Sequence, residues 1–395
     1  MVDVTATALS AVFTTLTLPF AGLILRREFG ATPLQLSLAA SAGAAAMLLA
    51  LAWARLAAHH PPLPWVVWPG VLGRGLFLLA PLAASAWALT ALMSAATFVG
   101  TLAGPAQTAL VERIYPRVVR GRAMAMVRAI AGVVAVGVSI AAGLVLETFG
   151  YRLAFAMAGG VGVVASLAFL AMRVPASDPP GGTARRTDRP TAVQHERAHG
   201  GAFTALMVSA FLFGTGCWIQ VPARPLTLAD VVRVTPSELG WLGAIGAVVT
   251  IGGSLVWGRL VDRRSSLHAL RFVYVAGTAS TVCYLTATTP WGLAWSFLGD
   301  GLVASGLEVV WIVALIDVAG PGRAARAAAV SATLAGVRGL TGPFAGALLI
   351  DAFGVGAVYV VAVGCMIAAF ALLGRVARVR VASPIGEPVA VSLVR

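Results

Sequence analysis

Apolar stretches of about 20 residues alternate with short polar segments along nearly the whole chain, from Thr5 to Leu373. A helix of that length crosses a hydrocarbon core of ~30 Å. We therefore predict an all-α membrane protein of about twelve transmembrane helices. The predicted spans are 5–25, 34–54, 65–85, 87–111, 125–147, 152–172, 203–228, 237–258, 268–288, 291–317, 326–350 and 355–373.

A polar segment rich in Pro, Gly and Arg separates the sixth span from the seventh. Such a composition cannot bury enough apolar area to fold, so it indicates a flexible linker. We predict an N-terminal six-helix bundle over 1–172, a cytoplasmic linker over 173–201, a C-terminal six-helix bundle over 202–374 and a cytoplasmic tail over 375–395.

An internal repeat relates the two predicted bundles. Six residues recur 203 positions later: Pro19, Leu23, Leu25, Thr32, Pro33 and Leu36 match Pro222, Leu226, Leu228, Thr235, Pro236 and Leu239. The repeat predicts the same helix start in both bundles, with a capping box and a proline in the first turn. The capping residues are Thr32 with Gln35 and Thr235 with Glu238.

A second block recurs with an offset of 204, so that spans five and eleven are also equivalent. It pairs Arg122, Gly132, Phe149 and Gly150 with Arg326, Gly336, Phe353 and Gly354. Two halves in the same orientation are related by an axis along the membrane normal, and this places the expected substrate site between them.

Composition agrees with a membrane protein, because 59% of the residues are hydrophobic and 11% are charged, against about a quarter charged in soluble domains. All 28 basic residues are arginine. Two lie deep within spans, most of the others lie on one set of alternating loops and tails, and five lie on the other set or at the span ends next to it: Arg26, Arg27, Arg152, Arg224 and Arg233. This positive-inside pattern predicts that both termini are cytoplasmic. The net charge of +13 is therefore not evidence for nucleic-acid binding, which would need a basic soluble domain.

The chain contains no Lys and no Asn, which excludes N-glycosylation and favours a GC-rich bacterial genome. The first span lacks the basic flank and cleavage site of a signal peptide, so we expect it to be retained. Cys217, Cys283 and Cys365 fall within predicted spans without metal-like spacing, and we expect neither a disulfide nor a metal site. We predict a multi-pass protein of a bacterial inner membrane, monomeric and without a cofactor.

The loop after span eight reads Gly258, three variable residues, Asp262 and Arg263. This pattern resembles the signature loop of the major facilitator superfamily at its place in the second half. The glycine lets two helices approach closely, and the charged pair can bind neighbouring helix ends at a cytoplasmic gate. The corresponding loop of the first half, residues 54–60, has lost the glycine, the aspartate and the arginine of this pattern.

The resemblance implies further roles. It makes Glu112 and Asp317, at the ends of spans four and ten, gate partners of the loop arginine, with Arg122 and Arg326 at the start of spans five and eleven. It also implies that spans one, four, seven and ten line the cavity, and that spans three, six, nine and twelve are outermost.

Charged residues within spans are functional candidates, because each costs roughly 2.5 to 3.5 kcal/mol at mid-helix on insertion scales. Glu308 and Arg338 have similar predicted depth, so they could form an ion pair that a proton or substrate breaks; a permanent structural pair is the alternative. Arg74 on span three could snorkel, pair with a neighbour or contact substrate. The substrate and proton-coupling candidates are Glu308, Arg338, Asp300, Arg224, Arg74, Trp218, Gln220 and Trp311.

No HExxH, GxSxG or phosphate-binding glycine loop is found in the sequence, so neither an enzyme nor an ATP-driven pump is predicted. We predict a secondary transporter of a small organic solute that exports a lipophilic or drug-like compound, with protons as a possible coupling ion. Gly339, Gly342, Pro343 and Gly346 of span eleven resemble the antiporter signature of drug exporters, which there lies in span five. Nutrient uptake, and a transporter-like sensor without flux, remain the alternatives.

Overall fold

The computed structural model describes residues 2–57, 61–114, 117–172, 196–320 and 323–381. Within these residues the chain is helical and contains no strand. The α-helices are α1 (Val2–Phe29), α2 (Pro33–Ala57), α3 (Pro62–Gly75), α4 (Ala86–Thr101), α5 (Gly104–Ile114), α6 (Arg117–Ala168), α7 (Glu196–Ile219), α8 (Ala223–Leu226), α9 (Pro236–Arg263), α10 (Ser266–Thr286), α11 (Ala294–Ala319), α12 (Ala324–Phe353) and α13 (Val355–Val381). Short 3-10 turns cover Leu76–Leu82, Phe169–Ala171 and Trp291–Leu293, and a π turn covers Thr227–Val231.

Nine helices of the described part are long and apolar enough to cross a membrane. One of them, Met126–Ala171, holds two predicted spans. Gly150 separates these spans, because its φ of 75° and ψ of 169° interrupt the helical backbone. The predicted all-α membrane fold is therefore confirmed.

Several helix ends differ from the predicted boundaries. α7 begins at Glu196, inside the predicted linker, and α13 continues to Val381, inside the predicted tail. Residues 173–195 and 382–395 lie outside the described part. The apolar pattern missed these ends because a helix can continue into water once it has left the bilayer.

Both predicted capping boxes are confirmed. The backbone N–H of Glu238 donates to Thr235 Oγ1 at 3.2 Å, and the backbone N–H of Thr235 donates to Glu238 Oε2 at 2.8 Å. In the first half, the N–H of Thr32 donates to Gln35 Oε1 at 2.8 Å, and the N–H of Gln35 donates to Thr32 Oγ1 at 3.4 Å. These bonds satisfy orphan donors at both helix starts. We call the end of the bundle that carries these caps the Thr32 face, and the opposite end the Arg263 face.

The N-terminal half (2–172) and the C-terminal half (196–381) meet along two helix pairs, α2 with α12 and α6 with α9. Polar contacts between the halves are found mainly toward the Thr32 face. They include the Arg26–Asp230 ion pair at 2.8 Å and a bond from the Ser237 N–H to Glu147 Oε2 at 3.1 Å. The largest apolar core cluster also joins both halves, since it contains Phe20 and Leu239.

Candidate functional site

A cavity of about 410 Å³ lies between the two halves. Its walls come from α1, α2 and α4 on one side and from α8, α9, α10 and α11 on the other. Most lining residues are aliphatic or aromatic. The polar lining residues are Thr97, Arg224, Tyr284 and Asp300.

Arg224 and Asp300 form a bidentate ion pair in this cavity. Arg224 Nη1 donates to Asp300 Oδ2 at 2.9 Å, and Nη2 donates to Oδ1 at 3.2 Å. The side chains are 31% and 28% exposed, so the pair is shielded and yet reachable from the cavity. A forked contact of this kind is among the stronger and more directional ion pairs in proteins.

Neighbouring groups of α10 complete the pair. Ser280 Oγ donates to Asp300 Oδ1 at 2.7 Å, and Tyr284 OH donates to Oδ2 at 3.3 Å. The Arg224 guanidinium lies 4.7 Å from the centre of the Tyr284 ring, a cation–π contact. Tyr284 stacks on Tyr359 in turn, with ring centres 6.0 Å apart. The Asp300 carboxylate thus accepts four hydrogen bonds, and the Arg224 guanidinium packs against an aromatic ring.

A break in span seven positions Arg224. α7 ends at Ile219, and α8 begins at Ala223 after Pro222, which has no N–H to continue the helix. Thr227 Oγ1 then bonds to the carbonyl oxygen of Ala223 at 3.1 Å and lies 2.7 Å from Tyr359 OH. Irregular backbone at membrane depth is tolerated where it is buried in protein or lines a cavity, and this one places Arg224 in the cavity wall.

Two glycines position Asp300. A Cβ at Gly299 would lie 2.7 Å from Ser280 Cβ, and a Cβ at Gly301 would lie 2.6 Å from the carbonyl oxygen of Gly246. α11 therefore approaches α10 and α9 closely on both sides of Asp300. This approach brings the carboxylate within reach of Ser280.

The predicted pair of Glu308 with Arg338 does not form. Glu308 instead pairs with Arg128 of α6, across the two halves. Arg338 Nη1 donates to the carbonyl oxygen of Ala210 at 2.6 Å, and its guanidinium lies against Gly214. Glu308 and Arg338 do not meet although their predicted depths are similar, because Arg338 faces α7 and Glu308 faces α6.

Arg74 does not snorkel toward a membrane surface. It points into the N-terminal half, where Nη1 donates to the carbonyl oxygen of Gly162 at 3.2 Å and to Ser166 Oγ at 3.1 Å. It lines a cavity separate from that of Arg224 and Asp300.

Three neutral candidates lie outside the cavity lining. Trp218 packs against Gly339 and Gly342 of α12. Gln220 is buried, and its amide donates to Thr281 Oγ1 at 3.3 Å. Trp311 is half-buried beside the core cluster of the C-terminal half. Their substrate roles stay predictions.

The predicted gate residues are found toward the Arg263 face. Asp262, Arg263 and Arg326 are exposed, whereas Gly258 is half-buried. Asp317 Oδ2 accepts a bond from Ser266 Oγ at 2.5 Å. Glu112 and Arg122 lie in α5 and α6, and their side chains lie outside the described part. The gate role of these residues also stays a prediction.

The sequence did not lead to a prediction that Ser280 and Tyr284 belong to the site, because the family resemblance implied that span nine is an outermost helix. One signal was available: the two residues are four positions apart, so they share one face of α10. A polar face on an apolar helix indicates a buried polar partner.

A bundle of apolar helices in two repeated halves, with a charged pair in the cavity between them, defines the class of polytopic membrane transporters. The model of the Major Facilitator Superfamily matches residues 4–204 and 206–393, so the chain belongs to this superfamily. Its members are transporters, and the chain is therefore a multi-pass membrane transporter.

Solved structures share the fold at low sequence identity. A peptide transporter POT in complex with sulfate aligns with a TM-score of 0.70 and 14% identity, over 95% of this chain and 95% of that chain. A mutant of the nucleoside transporter NupG aligns with a TM-score of 0.69 and 13% identity, over 95% and 100%. A bacterial homolog to the human lysosomal transporter Spinster, inward-facing and unoccupied, aligns with 0.62 and 16%, over 96% and 94%. No curated protein matches the chain.

Proposed function

We propose that the protein is a secondary carrier that exports a small, largely apolar organic solute, which binds in the cavity between the two halves. The observation that carries this proposal is the cavity itself, which is mainly apolar and has the Arg224–Asp300 pair in its wall. Apolar pockets with a few polar groups suit solutes that bury much apolar surface and are oriented by one or two polar contacts. A sugar would need more hydrogen-bonding partners than this lining offers.

Proton coupling belongs to the same proposal, with Asp300 as the proton acceptor. A proton on Asp300 removes the negative charge that holds Arg224, so the guanidinium becomes free to bind substrate or to let α8 move from α11. Four donors surround the carboxylate in the ion-paired state. Protonation of Asp300 and substrate binding at Arg224 therefore each break the same ion pair, which links the two events.

Glu308 keeps a different role in this scheme. Its pair with Arg128 joins α11 to α6, so protonation of Glu308 would loosen a contact between the halves. Both side chains are more than a third exposed, at 42% and 62%, and exposed pairs contribute only about 0–1 kcal/mol. Glu308 is thus proposed to tune the rocking of the halves rather than to carry the proton.

Orientation and location complete the proposal. The arginine distribution supports a bacterial inner membrane with the Arg263 face and both termini in the cytoplasm. Labelling of a cysteine introduced for Glu28, on the Thr32 face, by an impermeant maleimide in intact cells tests this orientation. Reaction with the intact cells is expected; protection in intact cells and reaction only in lysed cells would reverse the topology.

The test of function is solute-induced proton flux in proteoliposomes that contain a pH dye, with a compound library. Wild type, Asp300→Asn, Glu308→Gln and the exposed control Glu28→Gln are compared. We expect a pH change with wild type and Glu28→Gln, a reduced rate with Glu308→Gln, and loss with Asp300→Asn. Flux of labelled solute is measured in the same proteoliposomes as the pH change.

Each result is decisive for one part of the proposal. Solute flux without proton flux in wild type rejects proton coupling and keeps the carrier. Proton-coupled flux that survives in Asp300→Asn but is lost in Glu308→Gln moves the coupling site to Glu308. Solute accumulation only in the uptake direction replaces export by uptake. Saturable solute binding without any flux would favour a sensor.

A further inference from the structure

A second cavity, of about 130 Å³, lies inside the N-terminal half. Its polar lining consists of Thr7 and Ser10 of α1, Arg74 of α3, Gln107 of α5 and Ser166 of α6. It shares no lining residue with the cavity at Arg224 and Asp300. Nothing in the proposed transport scheme uses this second cavity.

Arg74 has a cationic edge that none of the described side chains occupies. Nη1 donates to the carbonyl oxygen of Gly162 and to Ser166 Oγ, which uses both of its hydrogens. Among the described residues, no carboxylate lies within ion-pair distance of the guanidinium, and Nε and Nη2 donate to no protein acceptor. These two nitrogens form the edge of arginine that binds carboxylates in a bidentate manner.

Close packing holds the arginine in place. A Cβ at Gly162 would lie 2.9 Å from Arg74 Cβ and 2.8 Å from Phe13 Cδ2, so α6 must have a glycine here. The guanidinium lies 5.5 Å from the centre of the Phe13 ring. A Cβ at Gly70 would lie 2.8 Å from Ser166 Oγ, so a side chain there would displace the hydroxyl that anchors Nη1. Packing from α1 and α6 therefore fixes the orientation of the Arg74 guanidinium.

We propose that this cavity binds a small carboxylate anion of about the size of acetate, through Nε and Nη2 of Arg74. The Gln107 amide and the Thr7 hydroxyl line the same cavity and can donate to the remaining lone pairs of the anion. The bound anion neutralises a cation that lies within a membrane-spanning segment, where an unpaired charge is strongly unfavourable. The proposal does not rest on the transport function.

Binding of trifluoroacetate to the purified full-length protein in detergent, followed by ¹⁹F NMR, tests the site. We compare wild type, Arg74→Gln and Arg27→Gln, which removes an exposed arginine from the Thr32 face. Wild type and Arg27→Gln should bind saturably with equal affinity. Arg74→Gln should bind at least about tenfold more weakly, because the charge-assisted hydrogen bonds from the guanidinium are lost. Equal binding by Arg74→Gln, or no saturable binding by folded wild type, overturns the site.

A second variant keeps the arginine and its bonds. Ala103 also lines the cavity, and Ala103→Leu should exclude the anion by filling the space. If Arg74→Gln fails to fold, wild-type affinity in Ala103→Leu overturns the proposal by itself. Trifluoroethanol is the neutral probe of similar size, and equal affinity for it would show an apolar pocket in place of an anion site.

Discussion

Ser139 Oγ of α6 donates a hydrogen bond to the carbonyl oxygen of Gly240 of α9 at 2.8 Å. The other interface between the halves has the same kind of bond, from Ser37 Oγ to the carbonyl oxygen of Pro343 at 2.7 Å. Ser37 precedes Gly240 by 203 positions, and Ser139 precedes Pro343 by 204. The two bonds thus occupy equivalent places in the repeat, with the donor on the opposite partner. Each requires that two helix backbones approach closely.

Gly143→Val should separate the halves at the Thr32 face. A Cβ at Gly143 would lie 2.5 Å from the carbonyl oxygen of Pro236, and backbone cannot give way as a side-chain end can. The measurement is the distance between spin labels at Glu28 and Asp351 in a cysteine-free background. We expect a longer mean distance. Gly137→Val on the same helix is the control, because its Cβ meets nothing within 4 Å; equal distances in both variants would contradict the prediction.

Gly346→Ala should lower the thermal unfolding midpoint in detergent. A Cβ at Gly346 would overlap the carbonyl oxygen of Ile219 and lie 3.0 Å from Pro222 Cγ, so it would push α12 from the break in span seven. Overpacking of this kind costs about 1–3 kcal/mol. Gly364→Ala in α13 is the matched control, since its Cβ would occupy open space and alanine favours helix by up to about 1 kcal/mol. A lower midpoint for both variants would reject the packing explanation.

Charge exchange at Arg26 and Asp230 should restore what each single change removes. Arg26 Nη2 and Asp230 Oδ2 are 2.8 Å apart at 30% and 44% exposure, so the pair is expected to contribute about 0.2–1 kcal/mol to the closed Thr32 face. Arg26→Asp and Asp230→Arg should each lengthen the Glu28–Asp351 spin-label distance, and the double variant should shorten it again. Recovery is expected to be partial, because Arg26 Nη1 also donates to the carbonyl oxygen of Ala31 at 3.1 Å. A double variant no closer to wild type than the singles argues against the ion pair.

Removal of one member of the Arg224–Asp300 pair should destabilise the protein more than removal of both. Arg224→Gln or Asp300→Asn leaves the partner as an unpaired charge, at a cost of up to about 3–5 kcal/mol, while the double variant leaves none. Chemical unfolding of the single and double variants yields the coupling free energy. Additive effects would show that the two groups act independently. Transport should be absent in all three variants. The double variant is therefore expected to be more stable than the single variants without recovering transport.

The sequence predicted helix starts better than side-chain partners. Thr235 and Glu238 are three residues apart, and local geometry alone brings them together, so this capping box was readable from the sequence. Arg224 and Asp300 are 76 positions apart. They meet because α7 ends before Pro222 and because Gly299 and Gly301 let α11 pack closely against α10 and α9. Glu308 shows the same limit, since its partner Arg128 belongs to the other half.

The sequence by itself determined the membrane fold, the repeat and the set of charges that had to be accommodated. Apolar length, helix caps and internal repeats are local or periodic properties, and they persist however the helices pack. The tertiary structure alone decided which charges meet, that span nine supplies Ser280 and Tyr284 as hydrogen-bond partners of Asp300, and that Arg74 faces a cavity of its own. These outcomes depend on the rotation and separation of helices, which are set by contacts between residues far apart in the chain, such as Gly301 with Gly246.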